Sequence, residues 1–166
     1  MGRKLGILIP VLLFGLALDL ASKLAVLHYL PLGAQIPIVP GFFNLVHVHN
    51  KGAAFGLLAT WSPLFSRLFF IGTTLLVLGV VTYLWWRLPA DSRRAALGYS
   101  LIITGALGNL LDRLRLGEVV DFLDVYWGTY HWPAFNVADS LVCLGAGILV
   151  WVILTEEARV DVSNPV

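Results

Sequence analysis

Leu68 to Trp86 read LFFIGTTLLVLGVVTYLWW, a run without Asp, Glu, Lys or Arg. A bilayer core is about 30 Å thick and a helix crosses it in about 20 mostly apolar residues, so this run spans by itself. Three more uncharged runs surround it: Leu5–Leu18, Ala95–Leu111 and Ser140–Thr155. Each reaches spanning length with a few flanking residues, which predicts four transmembrane helices at about 5–28, 64–86, 95–113 and 137–156. Composition agrees. With 58% of 166 residues hydrophobic and only 13% charged, a water-soluble fold would lack the polar surface to cover itself.

The formal net charge of +1 provides neither the basic footprint of a nucleic-acid binder nor an acidic tail. A single cysteine excludes an internal disulfide framework and any Cys-rich metal cluster. Length and the lack of an internal repeat predict one integral-membrane domain over 1–166. No small-x-small cleavage site follows the first apolar run, so that run reads as a retained anchor and not a removed signal peptide. Arg3, Lys4, Arg87, Arg93, Arg94 and Arg159 gather on one side if both termini are cytoplasmic, against Lys51, Arg67, Arg113 and Arg115 on the other. This bias orients the chain N-in and C-in, with extracytoplasmic segments at about 29–63 and 114–136.

Both outer segments contain strand-like stretches. Phe42–His49 and Val119–Trp127 are rich in β-branched and aromatic residues and are bounded by turn residues. The expected fold is therefore an all-α bundle of four transmembrane helices carrying a small extracytoplasmic β-sheet. Trp127, Tyr130 and Trp132 suit the membrane interface.

The polar residues within or beside the spans carry the chemistry, because burying them in a membrane is expensive. Asp19 and Lys23 lie four apart on the first helix, as a self-neutralising pair with Lys23 snorkelling outward or as part of a site. Asn109, Asp112 and Arg113 end the third helix; an acid there opposes the helix dipole and needs a partner such as Lys23 or Arg113. Asn136 and Asp139 open the fourth with capping-box spacing. Alternating helix direction brings all of these to one membrane face, where the Asp121 strand also leaves the third helix. Asp121 and Asp124 differ by an odd number of positions and so face opposite sides of that strand.

Two carboxyls held together away from water do not both ionise, and the resulting acid and base can activate water against a peptide carbonyl. No Ser–His–Asp arrangement stands out, and Cys143 has no nearby His in sequence. His47 and His49 form an H-x-H fragment too small to imply a metal; a solvated strand edge is the favoured reading. His28 and His131 suit the interface. Gly98, Gly105 and Gly108 read as packing notches in the third helix.

Five ordered blocks carry a family resemblance: DLASK at 19–23, NKGAAFG at 50–56, GNLLDR at 108–113, VVDF at 119–122 and FNVAD at 135–139. Together they resemble bacterial lipoprotein signal peptidase, also called signal peptidase II. The resemblance implies an intramembrane aspartic endopeptidase of the bacterial cytoplasmic membrane. Its substrates would be diacylglyceryl-modified prolipoproteins, cut immediately before the lipidated cysteine. It implies catalytic Asp121 and Asp139, substrate-positioning Asn50, Gly52, Asn109, Arg113 and Asn136, and supporting Asp19, Lys23 and Asp112. It also implies no cofactor or metal, a monomer among membrane lipids, a β-cradle, and a short amphipathic helix compatible with Trp61–Phe70. Gly56 departs from the Ser often found in its block.

Two rivals make different predictions. A small ion or proton transporter needs polar residues through the full membrane depth, yet the second helix and the inner half of the fourth offer little beyond Thr73, Thr74, Thr82 and Thr155. A non-enzymatic assembly factor would dock partners on the outer sheet, which gives no reason for two acids at one face.

Overall fold

All four spanning runs are helical: α1 Gly2–Tyr29, α2 Pro63–Arg87, α3 Arg93–Arg115 and α4 Val137–Ser163. The structure is a computed structural model; it describes residues 2–52 and 62–163, with side chains as far as Thr155. The helices outrun the expected spans at most ends, because their termini are set by caps and basic residues beyond the apolar stretch. Ser62 caps α2, its side chain accepting from Phe65 N–H, and Arg113 and Arg115 occupy the last turn of α3. Of the stretch expected to form a short amphipathic helix, 63–70 are the first turns of α2, and Trp61 lies outside the described residues.

α3 is the central helix. Most of its apolar length is buried, whereas α1, α2 and α4 bury only a small part of theirs. It packs against all three, and small residues make this close approach feasible. Gly98 faces Leu149 and Gly145, and Gly105 faces Ala138 and Val142, so a side chain at either would collide with α4. The other helices turn large apolar residues such as Leu13, Phe14, Leu76, Leu144 and Leu154 outward. A belt of this kind is unsuited to water and suited to lipid.

Lys4 joins the helices at the end of the bundle remote from the sheet. Its buried ammonium donates to the carbonyls of Trp85, Trp86 and Leu88 at 3.1, 2.8 and 2.8 Å, which satisfies carbonyl groups left open where α2 ends.

At the other end, β1 Gln35–Val39, β2 Phe43–Asn50, β3 Val119–Trp127 and β4 Tyr130–His131 form an antiparallel sheet in sequential order. The two longer strands fall where β-branched and aromatic residues predicted them. One face of β3 packs Val120 and Phe122 onto Val26 and Leu30 at the end of α1.

A register shift in β2 between Leu45 and Val48 determines what each face carries. Before it, Asn44 pairs with Asp124; beyond it, Val48 pairs with Asp121 and Asn50 with Val119. A one-residue slip reverses the faces of everything that follows. Asn44 and Asn50 have the same parity, yet Asn44 bonds Asp124 and Asn50 bonds Asp121.

Candidate active site

Asn136 stands at the centre of the polar cluster. It precedes α4 and is fully buried. Its side-chain oxygen accepts from Asp139 N–H at 2.9 Å, while Asp139 Oδ2 accepts from Asn136 N–H at 3.3 Å, closing the expected capping box. The Asn136 side-chain amide donates at 2.7 Å to Asp121 Oδ1. One residue thus couples the two carboxyls, each acid reaching it from a different element.

Each carboxyl has a second holder. Asn50 Nδ2 donates to Asp121 Oδ2 at 2.9 Å, and Asn109 Nδ2 to Asp139 Oδ1 at 2.7 Å. Asn50 is itself fixed through Oδ1, which accepts from Gly52 N–H at 2.8 Å. Gly52 has φ +86, and a Cβ there would collide with the ring of Phe70, so glycine is required on both counts. The remainder of that loop, Ala53–Gly56, lies outside the described residues.

Behind this layer lies a buried ionic triad. Lys23 is only 1% exposed and bonds Asp19 and Asp112, each at 2.8 Å, with Asn109 Oδ1 at 3.2 Å. Snorkelling is therefore overturned: the ammonium lies between two carboxylates inside the bundle. Asp112 takes Lys23 as its partner and not Arg113, and also accepts from Val120 N–H at 3.3 Å. Asp19 Oδ1 accepts from Ala138 N–H at 2.9 Å, meeting an otherwise open donor in the first turn of α4. Gly108 has no side chain to block this, since a Cβ there would come within 2.6 Å of Asp19 Oδ2.

Arg113 is half-buried above the Phe70 ring, 5.7 Å from its centroid, and donates to Asn109 O at 3.3 Å. Arg67 holds the same helix end through Arg113 O and Leu114 O at 3.1 and 2.7 Å. Sequence reasoning missed Arg67 and Phe70; an arginine beside an otherwise uncharged spanning run was the available signal. All ten predicted site residues meet in this network. Asp124 stands apart, bonded to Asn44 at 2.7 Å and His131 at 2.9 Å.

Asp121 is 1% exposed. Burial pushes its carboxyl up to about 7; the Asp139 charge adds to the rise, while the Asn50 and Asn136 amides and the Lys23 ammonium oppose it. An acid that keeps its proton near neutrality, coupled to a second carboxyl through one asparagine, is the equipment for general acid–base hydrolysis.

The family model described as signal peptidase (SPase) II matches residues 11–155. The chain belongs to that family. Lipoprotein signal peptidases of Geobacter metallireducens and Geobacter sulfurreducens are each 47% identical over 149 residues, covering 90% of this chain and 91% and 92% of theirs. A solved bacterial membrane enzyme superposes with a TM-score of 0.80 at 29% identity, covering 93% of this chain and 91% of its own. Family and fold together make the chain a multi-pass bacterial membrane protein and an aspartic-type intramembrane endopeptidase of the signal peptidase II class.

Proposed function

We propose that the chain removes signal peptides from diacylglyceryl-modified prolipoproteins, cutting before the lipidated cysteine, with Asp121 and Asp139 as the catalytic pair. The observation that carries this is the coupling of both acids through Asn136, one of them with its proton held near neutrality. Asp139 takes a proton from water as the oxygen attacks the peptide carbonyl carbon, and Asp121 gives its proton to the carbonyl oxygen. Collapse of the tetrahedral intermediate breaks the C–N bond: the proton held by Asp139 passes to the departing cysteine amine, and Asp121 takes back a proton from the gem-diol hydroxyl as the new carboxyl forms. Arg113, Asn50 and Gly52 border the same space and would hold substrate carbonyl or lipid oxygens. Arg87 and Arg93 at the helix ends remote from the sheet, and the exposed Trp127, Tyr130 and Trp132 at the other end, support cytoplasmic termini and an active site near the outer face. A single chain contributes every residue of this scheme, which supports action as a monomer.

The test is incubation of purified protein with a diacylated prolipoprotein and mass determination of the products. A new N-terminus at the lipidated cysteine is expected; no cleavage, or cleavage elsewhere, would overturn the proposal.

Two further outcomes are expected. Arg113→Lys keeps the charge but loses the planar fork, and kcat/KM should fall about tenfold or more across a substrate titration. Unchanged turnover would reduce Arg113 to a helix-end anchor. For Asp121, the folded value lies above the ordinary carboxyl value of 3.8, so the folded protein holds the extra proton between 3.8 and about 7. This carboxyl's contribution to stability therefore falls as pH rises through that window. Because the proton is the one delivered to substrate, kcat/KM should decline above about 7. Infrared titration of the carboxyl C=O band checks the assignment: in Asp139→Asn the band survives only if Asp121 carries it, and its midpoint then falls below the parent's because a like charge is gone.

A further inference from the structure

The acids and asparagines at the outer end of the bundle are fixed by short hydrogen bonds. Even His47, expected at a solvated edge, is buried, its Nδ1 2.8 Å from Leu30 O and its Nε2 3.1 Å from His49 Nε2. Arg113 is held differently. A guanidinium carries five N–H donors, yet among the described residues this one forms no ion pair and a single long hydrogen bond, to Asn109 O at 3.3 Å. So long a side chain, so loosely bonded, samples many rotamers unless packing restrains it.

The restraint comes from α2. The half-buried ring of Phe70 presents its face to the guanidinium, whose carbon lies 5.7 Å from the ring centroid, within the range of a cation–π contact. The ring is braced in turn: Phe69 meets it edge-on at 5.3 Å, and it packs directly on the backbone of Gly52, where any Cβ would collide with it. One turn earlier, Arg67 donates to Arg113 O and Leu114 O at 3.1 and 2.7 Å. Residues three apart share a helix face, so one face of α2 grips residue 113 twice, the main chain through Arg67 and the charged head through Phe70.

We propose that Phe70 is a positioning residue for peptide cleavage, its ring holding the Arg113 guanidinium beside the space that Asn50 and Gly52 also border. This rests on the reading of Arg113 as a group that holds substrate. The same ring backs the turn in which Gly52 N–H fixes Asn50, and Asn50 holds Asp121. A donor already fixed before substrate arrives has less freedom to lose on binding. Leucine at position 70 would keep apolar contact with Gly52 but has no π face for the cation.

The test measures cleavage of a diacylated prolipoprotein by full-length protein in detergent, with Phe70→Leu made in the parent and in an Arg113→Gln background, while NMR follows the Arg113 Nε–H resonance. At equal amounts of folded protein, Phe70→Leu should lower kcat/KM about fivefold or more, and Phe70→Tyr, which keeps the aromatic face, should recover most of that loss. In the Arg113→Gln background the cation is gone, and Phe70→Leu should cost less than about twofold. The Arg113 Nε–H signal, shifted upfield by the ring face, should move downfield in Phe70→Leu and hold its place in Phe70→Tyr. An equal loss in both backgrounds, or an Arg113 signal that Phe70→Leu leaves in place, would overturn the proposal. A parent that does not cleave, or Arg113→Gln as active as the parent, would instead overturn the underlying reading of the site, and the resonance would still decide whether the ring holds the guanidinium.

Discussion

Asp121→Asn and Asp139→Asn are each expected to abolish prolipoprotein cleavage, while Asp124→Asn keeps activity within an order of magnitude of the parent. General acid–base catalysis by one positioned group contributes roughly 10²–10⁴-fold, and in the proposed scheme acid and base act on a single tetrahedral intermediate, so loss of either ends the cycle. The asparagine variants also test the local geometry. Both oxygens of Asp121 accept from amide groups, Asn136 on Oδ1 and Asn50 on Oδ2. A protonated acid retains acceptor capacity on both oxygens; an amide presents a donor to one of the two donors. Some loss of stability should therefore accompany Asp121→Asn, and cleavage must be compared at equal amounts of folded protein. Asp124 bonds Asn44 and His131 on the other face of β3, and its variant tests whether any buried acid in this strand would serve. Equal inactivation of all three would remove the assignment of the pair.

The helices were legible because a membrane imposes one requirement, uninterrupted apolar length, that a sequence displays directly. β2 and β3 were legible from residue type. β1 was not: QIPIV is five exposed residues containing a proline, with no buried face to impose alternation. The face of Asp121 could be inferred from parity, but the register shift in β2 could not, and that shift decides which asparagine serves which acid. The capping box at Asn136 and Asp139 was visible as spacing. Its second duty, presenting Asp139 beside Asp121, depends on a strand and a helix from distant parts of the chain. Lys4 was counted as an orientation signal, although its ammonium is spent on the end of α2.

Lys23→Met is expected to cost more stability than any other single change at the site. At one helical turn's spacing, Asp19 and Lys23 look self-neutralising in sequence; in the fold a third member, Asp112, shares the ammonium. All three are almost completely buried, so removing the cation leaves two carboxylates facing each other without compensation. Breaking a buried ion pair from one side typically costs about 3–5 kcal/mol, and here two anions lose one partner. The damage should reach the proposed catalytic pair, because Asp19 holds the first turn of α4 at Ala138 and Lys23 holds Asn109, which in turn holds Asp139. Thermal unfolding in detergent should show a large loss for Lys23→Met alone. The triple variant Asp19→Asn, Lys23→Met, Asp112→Asn should recover much of it, since replacing a whole buried ionic group is often neutral where breaking one is not. Cleavage should remain impaired in the triple variant, because Asn109 still lacks the ammonium that orients it. A Lys23→Met protein as stable as the parent would mean that Asp19 and Asp112 are uncharged in the fold and that the triad is a hydrogen-bonded network without net ionic character.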